Sequence, residues 1–323
     1  MNRILTGIQS SGTPHLGNVL GAMLPAIELS KQNESYLFIA DLHAITTIKN
    51  REILLDNTLK TTAAWLALGL NTTTNILYKQ SDIAEVTELM WYLNCIVPYP
   101  MLANAHSFKD KLNNLSEVNA GLFTYPVLMA ADIILYNANI VPVGRDQLQH
   151  LEITRDIAKK FNHLFGETFV IPEAKLKETN VIVPGTDGRK MSKSYNNCIS
   201  IFADEKILRK EIMGIVTDSK GLNESKNPQQ CNIFQIYQIL APTDDSLTLE
   251  RKYKNGTIGY GDVKKLLLEL ILETFRETRC TFNELINNRS HLELELKKGA
   301  EIASQTANSV LKKVKNNLGL MST

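Results

Sequence analysis

Short apolar runs alternate with segments of helical period through the first two thirds of this 323-residue chain, and nearly every run empties into a polar or glycine-rich loop. Residues 3–8 lead into Gln9, Ser10, Ser11 and Gly12, residues 36–40 into Asp41, Leu42 and His43, and residues 140–143 into Gly144, Arg145 and Asp146. Residues 75–78 read as another strand, and 181–183 as a short one directly before the loop 184–194. Between them, residues 18–32, 51–70, 83–96, 119–137 and 147–165 repeat apolar side chains at helical spacing. Pro126 falls inside the fourth of these and predicts a kink or break. This alternation predicts an α/β fold, a doubly wound parallel sheet whose ligands sit outside the carboxyl ends of the strands. Strand signals stop near residue 195, and residues 201–216, 233–240, 262–287 and 292–318 read as helices. The expected division is therefore a nucleotide-type α/β domain over 1–195 and a helical C-terminal domain over 196–323.

Composition excludes more than it selects. With 35 basic and 34 acidic residues, no global field draws nucleic acid, so any RNA contact has to come from a local basic surface. Cys95, Cys198, Cys231 and Cys280 are scattered, with no CxxC pair and no histidine at ligand spacing. That pattern speaks against a structural zinc or iron–sulfur site and fits a reducing compartment. The opening apolar run is too short for a signal peptide, and no segment approaches a membrane span. The expectation is a cytoplasmic protein with no membrane partner.

Two loops carry the chemistry. Lys190-Met191-Ser192-Lys193-Ser194 sets two lysines three apart with small hydroxyl residues around them, which places mobile cations beside a polyphosphate without filling its space. A plain solvated basic loop is the alternative for the pentapeptide alone. Near the start, residues 13–18 feed a helix N-terminus, where free amides and the helix dipole favour an anion. Gly17 would let a flat base lie on the backbone, and His15 and Asn18 offer donors to phosphate oxygens; otherwise Gly12, Pro14 and Gly17 merely shape a turn. Asp132 lies between Ala130-Ala131 and Ile133-Ile134-Leu135, an apolar setting in which an unpaired carboxylate is costly. It is either a ligand partner or half of a buried ion pair.

Together these residues resemble class I aminoacyl-tRNA synthetases. Lys190 to Ser194 is similar to their KMSKS loop, and His15-Leu16-Gly17-Asn18 to their HIGH signature, with Asn18 in place of the second histidine. The opening from Gly7 to Ala22, Asp41-Leu42-His43-Ala44-Ile45-Thr46, Ala120 to Pro126, Leu128 to Ile133, Pro142 to Gln147 and Gln149 to Asn162 resemble the bacterial tryptophanyl-tRNA synthetases. The resemblance implies a Rossmann-like catalytic domain that makes tryptophanyl-adenylate from tryptophan and ATP, then loads tRNA(Trp). It implies Gln9, Ser10, Ser11, Gly17 and Asn18 on ATP, and Gly144, Arg145 and Asp146 by its ribose and base. The backbone from Val181 to Val183 would line the base, and Lys190, Met191, Ser192, Lys193 and Ser194 would hold the phosphates. Lys111 would add a third cation, although Lys109-Asp110-Lys111 reads equally as an exposed helix face. Of these, His15, Asn18, Lys190 and Lys193 are the catalytic set.

For the amino acid, indole has one N–H and no acceptor, so the Asp132 carboxylate suits it. Met129, Val141 and Val143 would wall the ring, Tyr125 and Gln147 would meet the α-amino group, and His43 and Gln9 would complete the pocket. The family further implies Mg²⁺ held mainly through the phosphates, an anticodon-binding role for the helical domain, and a homodimer. The helix face around Trp91 is the candidate contact, and it is equally readable as core. Leu5, Arg145, the segment 184–189 and Tyr195 depart from the family pattern. The tyrosine enzyme is the nearest rival, disfavoured by Leu5 and by Gly144-Arg145-Asp146-Gln147-Leu148-Gln149-His150. A small nucleotidyltransferase would have no use for the helical domain, and an inactive RNA-binding relative no need of both signatures.

Overall fold

The computed structural model describes residues 2–105, 118–144, 147–176 and 183–321. Five parallel strands, β1 (Arg3–Gln9), β2 (Glu34–Ala40), β3 (Ile76–Lys79), β4 (Ile140–Val143) and β5 (Glu173–Leu176), form one sheet in the order β3-β2-β1-β4-β5. The order reverses between β1 and β4, which makes their carboxyl ends the switch point where doubly wound sheets open a crevice. The pairing sharpens that opening. β1 pairs with β2 along its length, from Arg3↔Glu34 to Gln9↔Ala40, but meets β4 in register only at Ile4↔Ile140. Beyond that pair the two strands part.

The fifth strand of the sheet is Glu173–Leu176, which the sequence does not predict. β5 is an edge strand with Glu173, Ala174 and Lys175 exposed, so it carries no apolar run to betray it. The Val183 carbonyl accepts from the Met191 N–H at 3.0 Å, and Pro184 bridges to Lys190. Val181 and Ile182 lie outside the described residues.

The helix after the first loop is irregular where regularity was expected. α1 (Leu16–Asn18) passes through a π turn, Val19–Met23, into α2 (Leu24–Ser30), and the Leu24 N–H reaches five residues back to the Val19 carbonyl. Pro25 has no N–H to return one turn, and the wide turn absorbs the missing bond. α3 (Asp41–Ala44), α4 (Arg51–Ala67), α5 (Ala84–Asn94) and α6 (Tyr99–Ala103) follow. Of the kink or break expected at Pro126, no break occurs: α7 (Ala120–Ile134) is continuous, because buried residues on both sides of the proline hold it in the core. α8 spans Leu148–Phe165.

The C-terminal helices are α9 (Glu205–Met213), α10 (Asn232–Leu240), α11 (Thr243–Lys254), α12 (Tyr260–Thr274), α13 (Arg276–Asn287) and α14 (Arg289–Asn317). The predicted helix over 262–287 is two, divided at buried Phe275, and α11 was not anticipated. α14 returns to the sheet. At Gly299 an added Cβ would lie 1.8 Å from the Leu77 carbonyl oxygen, so helix and edge strand β3 touch backbone to backbone. Lys315 pairs with Glu88 of α5 at 2.8 Å, and Asn317 donates to Thr168 Oγ1 at 2.6 Å. One apolar core joins Leu16, Met23, Ile39 and Trp65 to Ile212, Phe234 and Leu268; the other joins Leu5, Phe38 and Ile134 to Ala303 and Val310. Residues from both sides of position 195 thus share both cores.

Candidate functional site

A cleft of about 680 Å³ opens where β1 and β4 part, within the size of ordinary small-molecule sites. Gln9, His43, Tyr125, Met129, Asp132, Val141, Val143 and Gln147, the residues expected around the amino acid, all line it, together with Gly144. Leu5 and Phe38 form part of its apolar wall. Gly7 makes room for that wall, because a Cβ there would stand 2.3 Å from the Phe38 ring.

Asp132 is buried at 2% exposure in α7, and both of its carboxylate oxygens are bonded. Gln80 Nε2 donates to Oδ1 at 2.8 Å and to Oδ2 at 2.9 Å, and His43 Nε2 lies 2.9 Å from Oδ2. A carboxylate only accepts, which assigns the His43 proton to Nε2. Burial pushes the Asp132 pKa up, and the bonds from His43 and Gln80 oppose that rise. Two turns earlier on α7 the Tyr125 hydroxyl bonds the buried His150 ring, whose centroid is 5.1 Å away, and Tyr125 meets His43 edge-on at 6.0 Å.

The two signature loops meet beside this cleft. His15 and Asn18 cap each other: Nδ1 of His15 accepts from the Asn18 N–H at 3.3 Å, and Asn18 Oδ1 accepts from the His15 N–H at 3.2 Å. Burial first, then the charge of Lys193, lowers the His15 pKa to about 4. The ring is therefore neutral at pH 7, and with Nδ1 accepting, its proton sits on Nε2 as a donor. Ser10 is fully buried, and its hydroxyl has no partner among the described residues. Ser11 donates its N–H to the Gln9 carbonyl at 2.9 Å, closing the turn. The Gly17 N–H points at Met191 Sδ, 3.2 Å away, and the Leu16 N–H bonds the Ile199 carbonyl at 2.9 Å. Met191 is buried and anchors its loop on the helix start.

Lys193 reaches across Gly12, where a Cβ would meet Nζ at 3.0 Å and where φ is +127°. Its side chain stays open to solvent, yet protein packed around the amine lowers its pKa to about 8. Ser192 caps the turn Lys193–Tyr195 by accepting from the Ser194 N–H at 3.3 Å. Lys190 is exposed. The unusual segment before the loop and the unusual Tyr195 after it answer each other: the Arg189 guanidinium lies 4.4 Å from the centre of the Tyr195 ring. Lys111, Arg145, Asp146 and Val181 lie outside the described residues.

Sequence reasoning missed three kinds of residue. Gln80 stands right after β3, where the rule of polar groups beyond strand ends would have found it. His150 hides inside an amphipathic helix. Asn197, 1% exposed, accepts from the Ser192 N–H at 2.8 Å and donates to Asp187 Oδ1 at 2.7 Å and to the Lys190 carbonyl at 3.2 Å, bracing the lysine loop from behind. Nothing short of the fold marks that asparagine.

The comparisons agree with this geometry. A family model for class I tRNA synthetases (W and Y) matches residues 1–276. The chain is 46% identical to a tryptophan–tRNA ligase of Rhodopirellula baltica, across 98% of this chain and 99% of that one. It is 44% identical to the tryptophan–tRNA ligase of Campylobacter jejuni, across 98% and 100%. It also resembles the crystal structure of the Campylobacter jejuni tryptophanyl-tRNA synthetase complexed with ADP and tryptophan, at a TM-score of 0.93, covering 98% and 100% of the two chains.

Proposed function

Because this chain belongs to the class I tRNA synthetases (W and Y), we infer that it activates tryptophan with ATP and transfers it to tRNA(Trp). One observation carries the amino-acid assignment: an acceptor-only carboxylate, Asp132, buried at the side of an apolar cleft of aromatic size. It suits a ring with a single N–H and no acceptor. A phenol both donates and accepts, and Leu5 supplies no donor for it at its place on the β1 wall. ATP–pyrophosphate exchange with each amino acid in turn tests the reading. Exchange with tryptophan alone is expected, and comparable exchange with tyrosine would overturn it.

In the first step the tryptophan carboxylate attacks the α-phosphorus of ATP in line and pyrophosphate leaves. A carboxylate is already nucleophilic at neutral pH, so the residues position and stabilise instead of abstracting a proton. His15 Nε2–H and the Asn18 amide would meet phosphate oxygens, Gln9 would sit between the substrates, and Ser10 and Ser11 would lie along the nucleotide. Gly17 would lie beneath the base, Gly144 to Asp146 beside base and ribose, with Val181 and Val183 behind. Lys190 and Lys193, with Met191, Ser192 and Ser194 shaping their loop, would hold the departing pyrophosphate; Lys111 is a further candidate cation. Tyr125 and Gln147 would face the α-amino group. In the second step a ribose hydroxyl of tRNA, the 2′-OH in class I, takes the aminoacyl group.

Mg²⁺ fits as a passenger on the triphosphate. The described residues include no group of three or more His, Cys, Asp or Glu able to hold a metal, and the loops facing the phosphates offer amides and amines. The ion would neutralise phosphate charge as pyrophosphate leaves.

Residues 1–195 would carry the chemistry, and the helices of 196–323 the anticodon end of tRNA, where unpaired bases can be read. A homodimer is the proposed assembly. Trp91 is 68% exposed on α5 and Tyr99 71% exposed on α6, large apolar side chains of the kind that subunits cover; the mass in solution checks it. No helix among the described residues is long and apolar enough to cross a membrane, and the free thiols and the tRNA substrate favour a cytoplasmic location.

A further inference from the structure

Gln80 is wholly buried at the head of the turn Gln80–Asp82 that follows β3. Its amide nitrogen donates to both carboxylate oxygens of Asp132, and its amide oxygen accepts from the Leu42 N–H at 3.1 Å and the His43 N–H at 3.4 Å. That arrangement fixes the amide's orientation. The flipped group would set its oxygen against a carboxylate and its N–H groups against backbone donors. The turn is pinned in its own right: Asp41 Oδ1 accepts from the Ser81 N–H at 2.9 Å, and the Ser81 hydroxyl donates to Oδ2. Gln80 therefore ties the ends of β2 and β3 to the carboxylate on α7.

We propose that Gln80 is a positioning residue for amino-acid specificity, fixing which lone pair Asp132 presents to the ligand. Oδ2 takes bonds from Gln80 and His43, which fills both of its acceptor sites, while Oδ1 takes one from Gln80 and keeps one. A single free acceptor site matches a ligand edge with a single N–H. Gln80 is not among the residues that line the cleft, and it acts only through Asp132. Without the Gln80 N–H groups only His43 holds the carboxylate, at one oxygen, and burial favours its protonated form, which donates as well as accepts. The selection for an N–H edge is then lost. The inference rests on the reading of Asp132 as acceptor of the indole N–H.

The test uses the full chain with two variants, Gln80→Met, of similar length without donors, and Gln80→Glu, of the same shape without the N–H groups. ATP–pyrophosphate exchange is measured with tryptophan and with benzothienylalanine, in which sulfur replaces the indole N–H. The ratio of kcat/KM for the two amino acids, taken from one preparation, does not depend on how much of the protein is folded. Both variants should lower that ratio at least about tenfold, through loss with tryptophan, while KM for ATP stays within about twofold. A ratio that stays constant while both amino acids lose activity would make Gln80 a structural support and overturn the proposal. Asp132→Asn, run beside them, separates the two ideas. If it too leaves the ratio unchanged, the reading of Asp132 fails; if it alone collapses the ratio, only the role of Gln80 fails.

Discussion

Lys193 stands over the backbone of Gly12 with a pKa of about 8, and its value to catalysis depends on its proton. Below that pH the ammonium is intact; as pH rises through it the charge disappears from the free enzyme. The kcat/KM for ATP should therefore fall along a limb near pH 8, and Lys193→Ala should abolish the limb. The same variant should slow adenylate formation by about 3 kcal/mol, roughly a hundredfold, with tryptophan affinity nearly intact, because a cation serving departing charge acts mainly in the transition state. Rapid-quench measurement of adenylate formation checks the rate, and an unchanged rate would remove Lys193 from the mechanism. Asp132→Asn loses a charge-assisted bond worth about 1.5–3 kcal/mol and should weaken tryptophan roughly ten- to a hundredfold while ATP binding holds. Calorimetry with each ligand distinguishes this from a structural role. Asp132 was legible because a carboxylate in an apolar run is a conflict that asks for an explanation. Gln80 raised none, since a glutamine after a strand is unremarkable until its two-sided bonding is seen.

Among the secondary elements, the strands around the switch point were legible because buried parallel strands are continuous apolar runs, as in Tyr36 to Ala40. Edge strand β5, half solvated and only Glu173–Leu176 long, gave no such signal. The π turn in the first helix was equally hidden, since Pro25 only warns of irregularity and packing decides its form. The lysine loop was recognised from five residues, but its brace was not. Asn197→Ala would strip the Ser192 N–H, the Lys190 carbonyl and Asp187 of a partner at once, each loss costing about 1–3 kcal/mol where water cannot substitute. KM for ATP should rise and proteolysis within residues 185–196 accelerate, with tryptophan binding unchanged. Gly185 is bound to the same brace, because a Cβ there would lie 2.2 Å from Asn197 Nδ2.

The whole molecule divides less cleanly than its composition does. Three basic residues of the helical region are engaged within the protein: Lys264 bonds the Met213 carbonyl at 2.8 Å, Arg279 bonds the Ile201 carbonyl, and Lys315 pairs with Glu88. Reversing Lys315 would break α14 from α5, so the cleaner probe is Lys297→Glu with Lys312→Glu on the exposed side of α14. That pair should raise KM for tRNA, with the gap from the unaltered protein narrowing at higher salt, and spare pyrophosphate exchange; equal loss of both activities would refute the division of labour. Gly299→Ala should cost about 1–3 kcal/mol or more, lowering the melting temperature by several degrees, because a methyl group has no space against Leu77.

That contact also orders events during synthesis. β3 leaves the ribosome roughly two hundred residues before the helix that packs against its backbone. Through that interval the nascent sheet presents an open edge, the surface on which chains pair with one another. The half that carries the sheet cannot cover that edge as it emerges. It must wait for α14, so a ribosome stalled late in the message would hold a nearly complete but sticky chain, dependent on chaperones until its last helix docks.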